Sequence, residues 1–257
     1  MPVVVACLLP AAPLLLPRLT GDRVPEVAGV REAASAALAA LDGLSRLVVV
    51  APSLPGTLAG FGAPPREGDR PAAAGPRRDG SGAAHPSDEP DPPPVGSWPH
   101  ELAAELLDGA GAPPRRTWAS WDEVEDGVPA TDPARSGSGT TAAVAAAVQD
   151  PAAVGLLLLA DGSRTRGVRA PGGDDPRGEV VDGVLLAALR EGRAPVLPGT
   201  GAVGTGADDA GAVGATAGPA VALLAGTGPL GPGSAEVLYA GAPLGVGYLV
   251  AVRRETP

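Results

Sequence analysis

The stretch Val154–Gly192, VGLLLLADGSRTRGVRAPGGDDPRGEVVDGVLLAALREG, decides the fold. It opens on an unbroken apolar run, Val154 to Ala160, closed by the turn signal Asp161-Gly162-Ser163, which predicts a strand buried on both faces rather than half of an exposed hairpin. A polar loop follows. Asp175-Pro176 then supplies a helix cap and a first-turn proline, and Val180, Val181, Val184, Leu185, Ala188 and Leu189 recur at helical spacing until Gly192 stops them. Strand, loop and amphipathic helix in that order predict an α/β protein with a mixed, largely parallel central sheet and helices on both faces. In such sheets ligands sit in the loops at the carboxyl ends of the strands, which makes Asp161 to Asp175 the first place to look for chemistry.

Working outward, Val3 to Cys7 suits a central strand, and Pro10 to Pro17 predicts an extended loop leaving it, one that borders the same region. Val27, Val30, Ala34, Ala37, Leu38 and Leu41 place a helix over Glu26 to Leu41, ended at Asp42-Gly43. Arg46 to Ala51 is a second buried strand, broken by Pro52-Ser53. The order implies a right-handed parallel crossover. Pro99, Leu102, Leu106 and Leu107 mark a helix to about Gly109, Arg115 to Trp121 a strand, and Thr140 to Gln149 an alanine-rich helix. Near the end, Ala220 to Ala225, Glu236 to Ala240 and Gly247 to Val252 are apolar, and the last two predict a terminal hairpin on the sheet.

Length and composition bound the rest. At 257 residues the chain is long enough for one large domain, read here as spanning 1–257. Its 38 Gly and 31 Pro accompany a complete absence of Lys, Ile and Asn. Those missing residues have AT-rich codons, so part of the bias belongs to the genome and not to the fold. The segment from about 62 to 96 holds almost no large apolar side chain and predicts a disordered insertion, since it cannot bury enough surface to offset its ordering entropy.

A net charge of −10 without a clustered basic face excludes binding to a phosphate backbone. One cysteine, Cys7, excludes an intrachain disulfide and suits a reducing compartment. The opening apolar run lacks a basic lead-in and is interrupted by Pro10 and Pro13, which argues against a signal peptide or a membrane span and for a cytoplasmic location. Homo-oligomerisation is left open.

Several motifs compete for the chemistry. Gly199-Thr200-Gly201-Ala202-Val203-Gly204 matches G-x-G-x-x-G, but Pro195 and Pro198 spoil the strand required before it and poor helix formers follow, so dinucleotide binding is not supported. No G-x-S-x-G exists. Of the two histidines, His85 falls in the insertion and His100 in the first turn of a helix, and both read as solvated surface. Asp161, Asp174, Asp175 and Asp182 could form a carboxylate metal site; the simpler reading puts Asp161 in a turn, Asp175 at a helix cap and Asp182 on an exposed helical face. Arg164, Arg166 and Arg169 beside Ser163 could hold a small anion through charge-assisted hydrogen bonds, or equally form a solvated loop.

Four phrases, VVVACLLPAAPLLLP, RLVVVAPS, ADGSRTRGVRAPGGDDPRGEVVDGVLLAAL and VLYAGAPLGVGYLVA, taken in order, resemble the subunit-B-like branch of the class III extradiol ring-cleavage dioxygenases found in small actinobacterial proteins. The resemblance implies a central sheet with helices on both faces. It also implies, in active members, Fe(II) held by two histidines and a glutamate, with a further histidine as acid/base for opening a catechol ring. This chain departs at those positions. Cys7-Leu8-Leu9-Pro10-Ala11-Ala12-Pro13 stands where the first histidine is expected, Pro52-Ser53 where the second is, and Ser163-Arg164 where a Ser-His pair is. Glu236 is the candidate for the glutamate. The resemblance therefore implies an iron-free relative with no catalytic set intact and no cofactor expected. Its pocket candidates are Ala11, Ser53, Asp161, Ser163, Arg164 and Arg166, and it would bind a small anion or a protein partner. A dioxygenase with another ligand set and a structural interaction module are the alternatives.

Overall fold

A computed structural model describes residues 3–21, 24–52, 54–62, 93–94, 97–111, 115–121, 154–197, 209–225 and 233–254. Ser53, His85, nearly all of the 62–96 segment, the 140–149 helix and the glycine motif at 199–204 lie outside them.

Among the described residues six strands form one sheet: β1 Val3–Leu9, β2 Arg46–Pro52, β3 Arg115–Trp121, β4 Val154–Leu159, β5 Glu236–Gly241 and β6 Tyr248–Arg254. Their order is β3-β2-β4-β1-β6-β5, with the first four mutually parallel and the last two pairings antiparallel. The apolar run read from the sequence is β4, and every residue in it is buried. It lies between β2 and β1, with Leu156, Leu157 and Leu158 facing Ala6, Cys7 and Leu8 on one side and Val48, Val49 and Val50 on the other. The expected crossover from β1 to β2 is parallel, but β4 is inserted between the two strands. A strand with no polar face needs a partner on each edge and a layer on each side, and only the middle of the sheet offers all four.

The helices supply those layers. Cys7, Leu9, Val49, Leu157 and Leu159 pack with α2 (Ala28–Ala39) and α3 (Trp98–Gly109). Their alternates, Ala6, Leu8, Val48, Leu156 and Leu158, pack with α4 (Arg177–Glu191) and α6 (Gly218–Leu224). Short helices α1 (Pro17–Thr20) and α5 (Asp209–Ala212) complete the set described. The strand alternation of two thus divides one continuous apolar sheet into two cores. The segment after β1, read as an extended loop, folds into a 3₁₀ turn at Pro13–Leu15 that buries Leu14 and Leu15.

Three side-chain placements differ from the sequence reading. Val180 was expected on the apolar stripe of α4 and is 54% exposed, whereas Asp182, expected on the exposed face, is buried. The buried positions of α4 are Gly178, Val181, Asp182, Leu185, Ala188 and Leu189, a spacing of three and four that carries position 182 inward and turns 180 out. His100 is likewise buried and not solvated. It sits three residues before Ala103 and seven before Leu107 on the inner face of α3.

Candidate functional site

The carboxyl ends of β1 and β4 lie side by side, tied by Ala160 N–H donating to the Leu9 carbonyl at 2.9 Å. The loops that leave them, starting at Pro10 and Asp161, therefore begin next to each other. Antiparallel β6 enters beside β1 and brings Tyr248 to the same end. This is where the parallel part of the sheet meets its antiparallel part.

The Asp161–Asp175 loop is a rigid platform. Asp161 N–H donates to Thr216 Oγ1 at 2.9 Å, and the Asp161 carbonyl accepts from the N–H groups of Thr216 and Ala217 at 2.8 and 2.9 Å. Farther along, Arg164 N–H bonds Val213 O, Arg166 N–H bonds Gly245 O, and Asp175 N–H returns to Thr165 O. Asp175 Oδ1 accepts from Arg177 N–H at 2.9 Å, the helix-start role expected for it.

One side of the platform is held by Asp182. Its Oδ1 accepts from Ser163 N–H at 2.7 Å, and its Oδ2 accepts from Ser163 Oγ–H and from Arg166 Nη1, both at 2.9 Å. A Cβ on Gly247 would lie 2.1 Å from Asp182 Oδ2, and one on Gly162 2.5 Å from Oδ1, so both glycines leave the space this carboxylate fills. A cleft of about 230 Å³ lies alongside, between α4 and the β5–β6 hairpin, and is lined by Arg166, Glu179, Asp182, Leu186, Tyr248 and Leu249 among others. Arg166, the one cation among the described residues lining it, is already committed, since it faces Asp182 at 2.9 Å and Glu179 at 3.7 Å. Ser163 is fully buried and spends its hydroxyl proton on Asp182.

Asp161 and Arg164 are placed differently. Asp161 is buried, and among the described residues its Oδ1 has no hydrogen-bond partner. Burial pushes its carboxyl up to about 6, against the opposing pull of the Arg164 guanidinium and the Ala11 backbone amide. Tyr248, behind it, has its phenol raised by burial first and by the charge of Asp161 second. Arg164 is half-buried, runs along Gly214, and makes no side-chain hydrogen bond to the described residues. Of the residues proposed from sequence, Ala11, Asp161 and Arg164 are brought together, while Ser163 and Arg166 serve Asp182, and Arg169 is exposed. Ser53 lies outside the described residues.

Tyr248, Thr216 and the inward role of Asp182 were missed. For Asp182 a signal existed, an acid at the fourth position after Gly178 and the third before Leu185, inside the apolar stripe. Tyr248 and Thr216 carry no local signal, because only the folding of distant segments brings them to Asp161.

The iron implied by the resemblance does not fit these residues. Alanine, serine and arginine at the three loop positions offer no imidazole or carboxylate to Fe(II). The one described histidine is spent elsewhere. His100 Nε2 lies 3.0 Å from the Ala119 carbonyl, which can only accept, so Nε2 carries the proton and Nδ1 accepts from Ser97 Oγ at 2.7 Å. Burial lowers the pKa of that ring. Among the described residues no group of three or more His, Cys, Asp or Glu is placed to hold a metal ion, and Asp161, Asp174, Asp175 and Asp182 do not converge. Cys7 lies inside β1 with its thiol donating to Ala37 O at 3.2 Å, and burial pushes it up to about 12, which makes it an inert core residue. No family model matches the chain, and no curated protein matches it by sequence. Among the described residues no helix is long and apolar enough to cross a membrane.

Proposed function

We propose that this chain is a relative of the class III extradiol dioxygenases, subunit-B-like, that does not use their iron and instead binds a small oxyanion in the loops after β1 and β4. The observation that carries this reading is Arg164, a half-buried guanidinium with no acceptor among the described residues, beside a buried carboxylate whose Oδ1 is also unpartnered. Uncommitted polar groups at the carboxyl end of a parallel sheet, where the fold class places its ligands, are the feature a binding site needs and a merely packed loop does not. Arg166 is the poorer candidate because Asp182 already neutralises it.

The test combines metal analysis, oxygen uptake with catechol, and thermal shift with sulfate and benzoate. The expected result is substoichiometric iron, no turnover, and saturable stabilisation by an anion that Arg164→Ala abolishes and Arg166→Ala does not. Stoichiometric iron with ring cleavage would establish the enzyme reading instead. Capture of a protein partner that depends on Arg164, with no anion effect, would favour an interaction module.

A further inference from the structure

Buried acceptors without a partner are uncommon in folded proteins, because such a group forfeits its hydration and gains nothing in return. Asp161 Oδ1 is such a group among the described residues, and the two hydroxyls on the adjoining segments are engaged elsewhere. Thr216 Oγ1 accepts from the Asp161 backbone N–H and lies 3.3 Å from the Asp161 carbonyl, and Ser163 Oγ–H is donated to Asp182. The groups that act on the carboxyl are few. Arg164, from the same loop, and the Ala11 amide, from the loop after β1, favour its ionised form; Tyr248, from β6, bears a phenol that Asp161's charge makes harder to ionise. The 213–217 segment and Pro10 to Ala12 bring no ionisable side chain to it.

An anion arriving at Arg164 enters beside this carboxyl. If Asp161 stays ionised, the anion meets a like charge in a desolvated setting and Oδ1 remains an acceptor facing another acceptor. If Asp161 takes up a proton, the repulsion disappears and the acid becomes a donor for the anion. One proton thus removes both the repulsion and the orphaned oxygen. We infer that the site takes its oxyanion together with one proton, carried by Asp161, so that its ligand is bound as the equivalent of a protonated acid. This rests on the anion-binding reading given above and adds the chemistry of that site.

The balance is simple: anion and one proton are taken from solvent, no covalent bond between ligand and protein forms, and both return on release. Sulfate is a suitable probe because it does not titrate near neutral pH. For the full chain, sulfate affinity is expected to be highest below the carboxyl's value of about 6 and to weaken above it. The limiting slope is about tenfold per pH unit, on the order of a hundredfold between about pH 6 and about pH 8. Calorimetry at about pH 7 in two buffers of different ionisation enthalpy should count close to one proton taken up per sulfate. Asp161→Asn, whose amide permanently supplies a donor, should bind sulfate with a flat pH profile. Arg164→Ala should not bind it. Sulfate binding that needs Arg164 but shows neither proton uptake nor a pH slope would overturn the inference while leaving the anion site intact. Absence of saturable sulfate and benzoate binding at every pH would overturn the site itself. The proton count uses the unaltered protein, so a variant that fails to fold does not decide the matter.

Discussion

At the scale of single residues, Asp161 and Asp182 are two buried carboxylates with opposite solutions. Asp182 receives three hydrogen bonds and stays in the fold as a tie between α4 and the loop after β4. Removing it strands two donors on Ser163 and one on Arg166. Asp182→Ala should therefore cost roughly 3 kcal/mol in urea unfolding, and a loss below about 0.5 kcal/mol would show that the contacts do not stabilise. Gly247→Ala should be comparably damaging, because its Cβ would fall 2.1 Å from the same carboxylate. Asp161 destabilises when ionised. Its carboxyl is raised from an ordinary 3.8 to about 6, so the native state keeps its proton where the unfolded chain has released it. Stability from this group is then greatest below about pH 4 and declines as pH rises toward 6, levelling above it. The gap, at about 1.4 kcal/mol per pH unit, amounts to about 3 kcal/mol. Asp161→Asn should match the native protein in acid and exceed it by about that amount at neutral pH, and equal stability at both pH values would refute the assignment.

At the scale of elements, α4 is the piece that turns a strand into a site. Gly178 lets it close on the loop, since a Cβ there would lie 2.4 Å from Thr165 Oγ1 and 2.9 Å from Ser163 Oγ. Gly192 ends it in the left-handed region at φ 64°, and a Cβ would come within 2.6 Å of the Gly233 backbone carbonyl carbon. Gly43, which follows α2, also has positive φ, at 75°, but open space around it. Gly43→Ala should cost about 1 kcal/mol, the left-handed penalty alone. Gly192→Ala should cost clearly more because backbone cannot move aside as a side chain can, and thermal unfolding of the two variants compares them directly. Equal losses would mean that the 233 segment yields. The cap and the stop of this helix were legible in the sequence; the inward turn of Asp182 was not, because an acid on a helix is assigned to solvent unless the apolar stripe is counted residue by residue.

At the scale of the whole molecule, one sheet separates two cores, and β4 with β1 lies at its centre, walled on every side by other described elements. β4 is hydrogen-bonded to β2 and β1 and covered on both faces, whereas β5 lies at the sheet edge with a register shift between Val237 and Tyr239. Hydrogen exchange should therefore be slowest at Leu156 to Leu159 and their β1 partners and faster by orders of magnitude along the open edge of β5. Uniform protection across the sheet would mean that it opens only as a unit. The proposed oxyanion site lies at the carboxyl ends of β1 and β4, the strands expected to be most protected, which suits a site that must hold a buried carboxyl beside a guanidinium.

What the sequence determined by itself is what depends on neighbours along the chain. The all-apolar β4, the stripe and stop of α4, the two opening strands and the closing hairpin follow from periodicities of two and of three to four, which are local properties of the backbone. The candidate loop after β4 follows as well, since its place is fixed by the strand before it. The insertion of β4 between β1 and β2, the meeting of Ala11, Asp161, Arg164 and Tyr248, and the burial of His100 and Asp182 were decided only in three dimensions. Each requires segments tens to hundreds of residues apart to share one volume, and whether a polar group there is paired or orphaned depends on what the other segment brings.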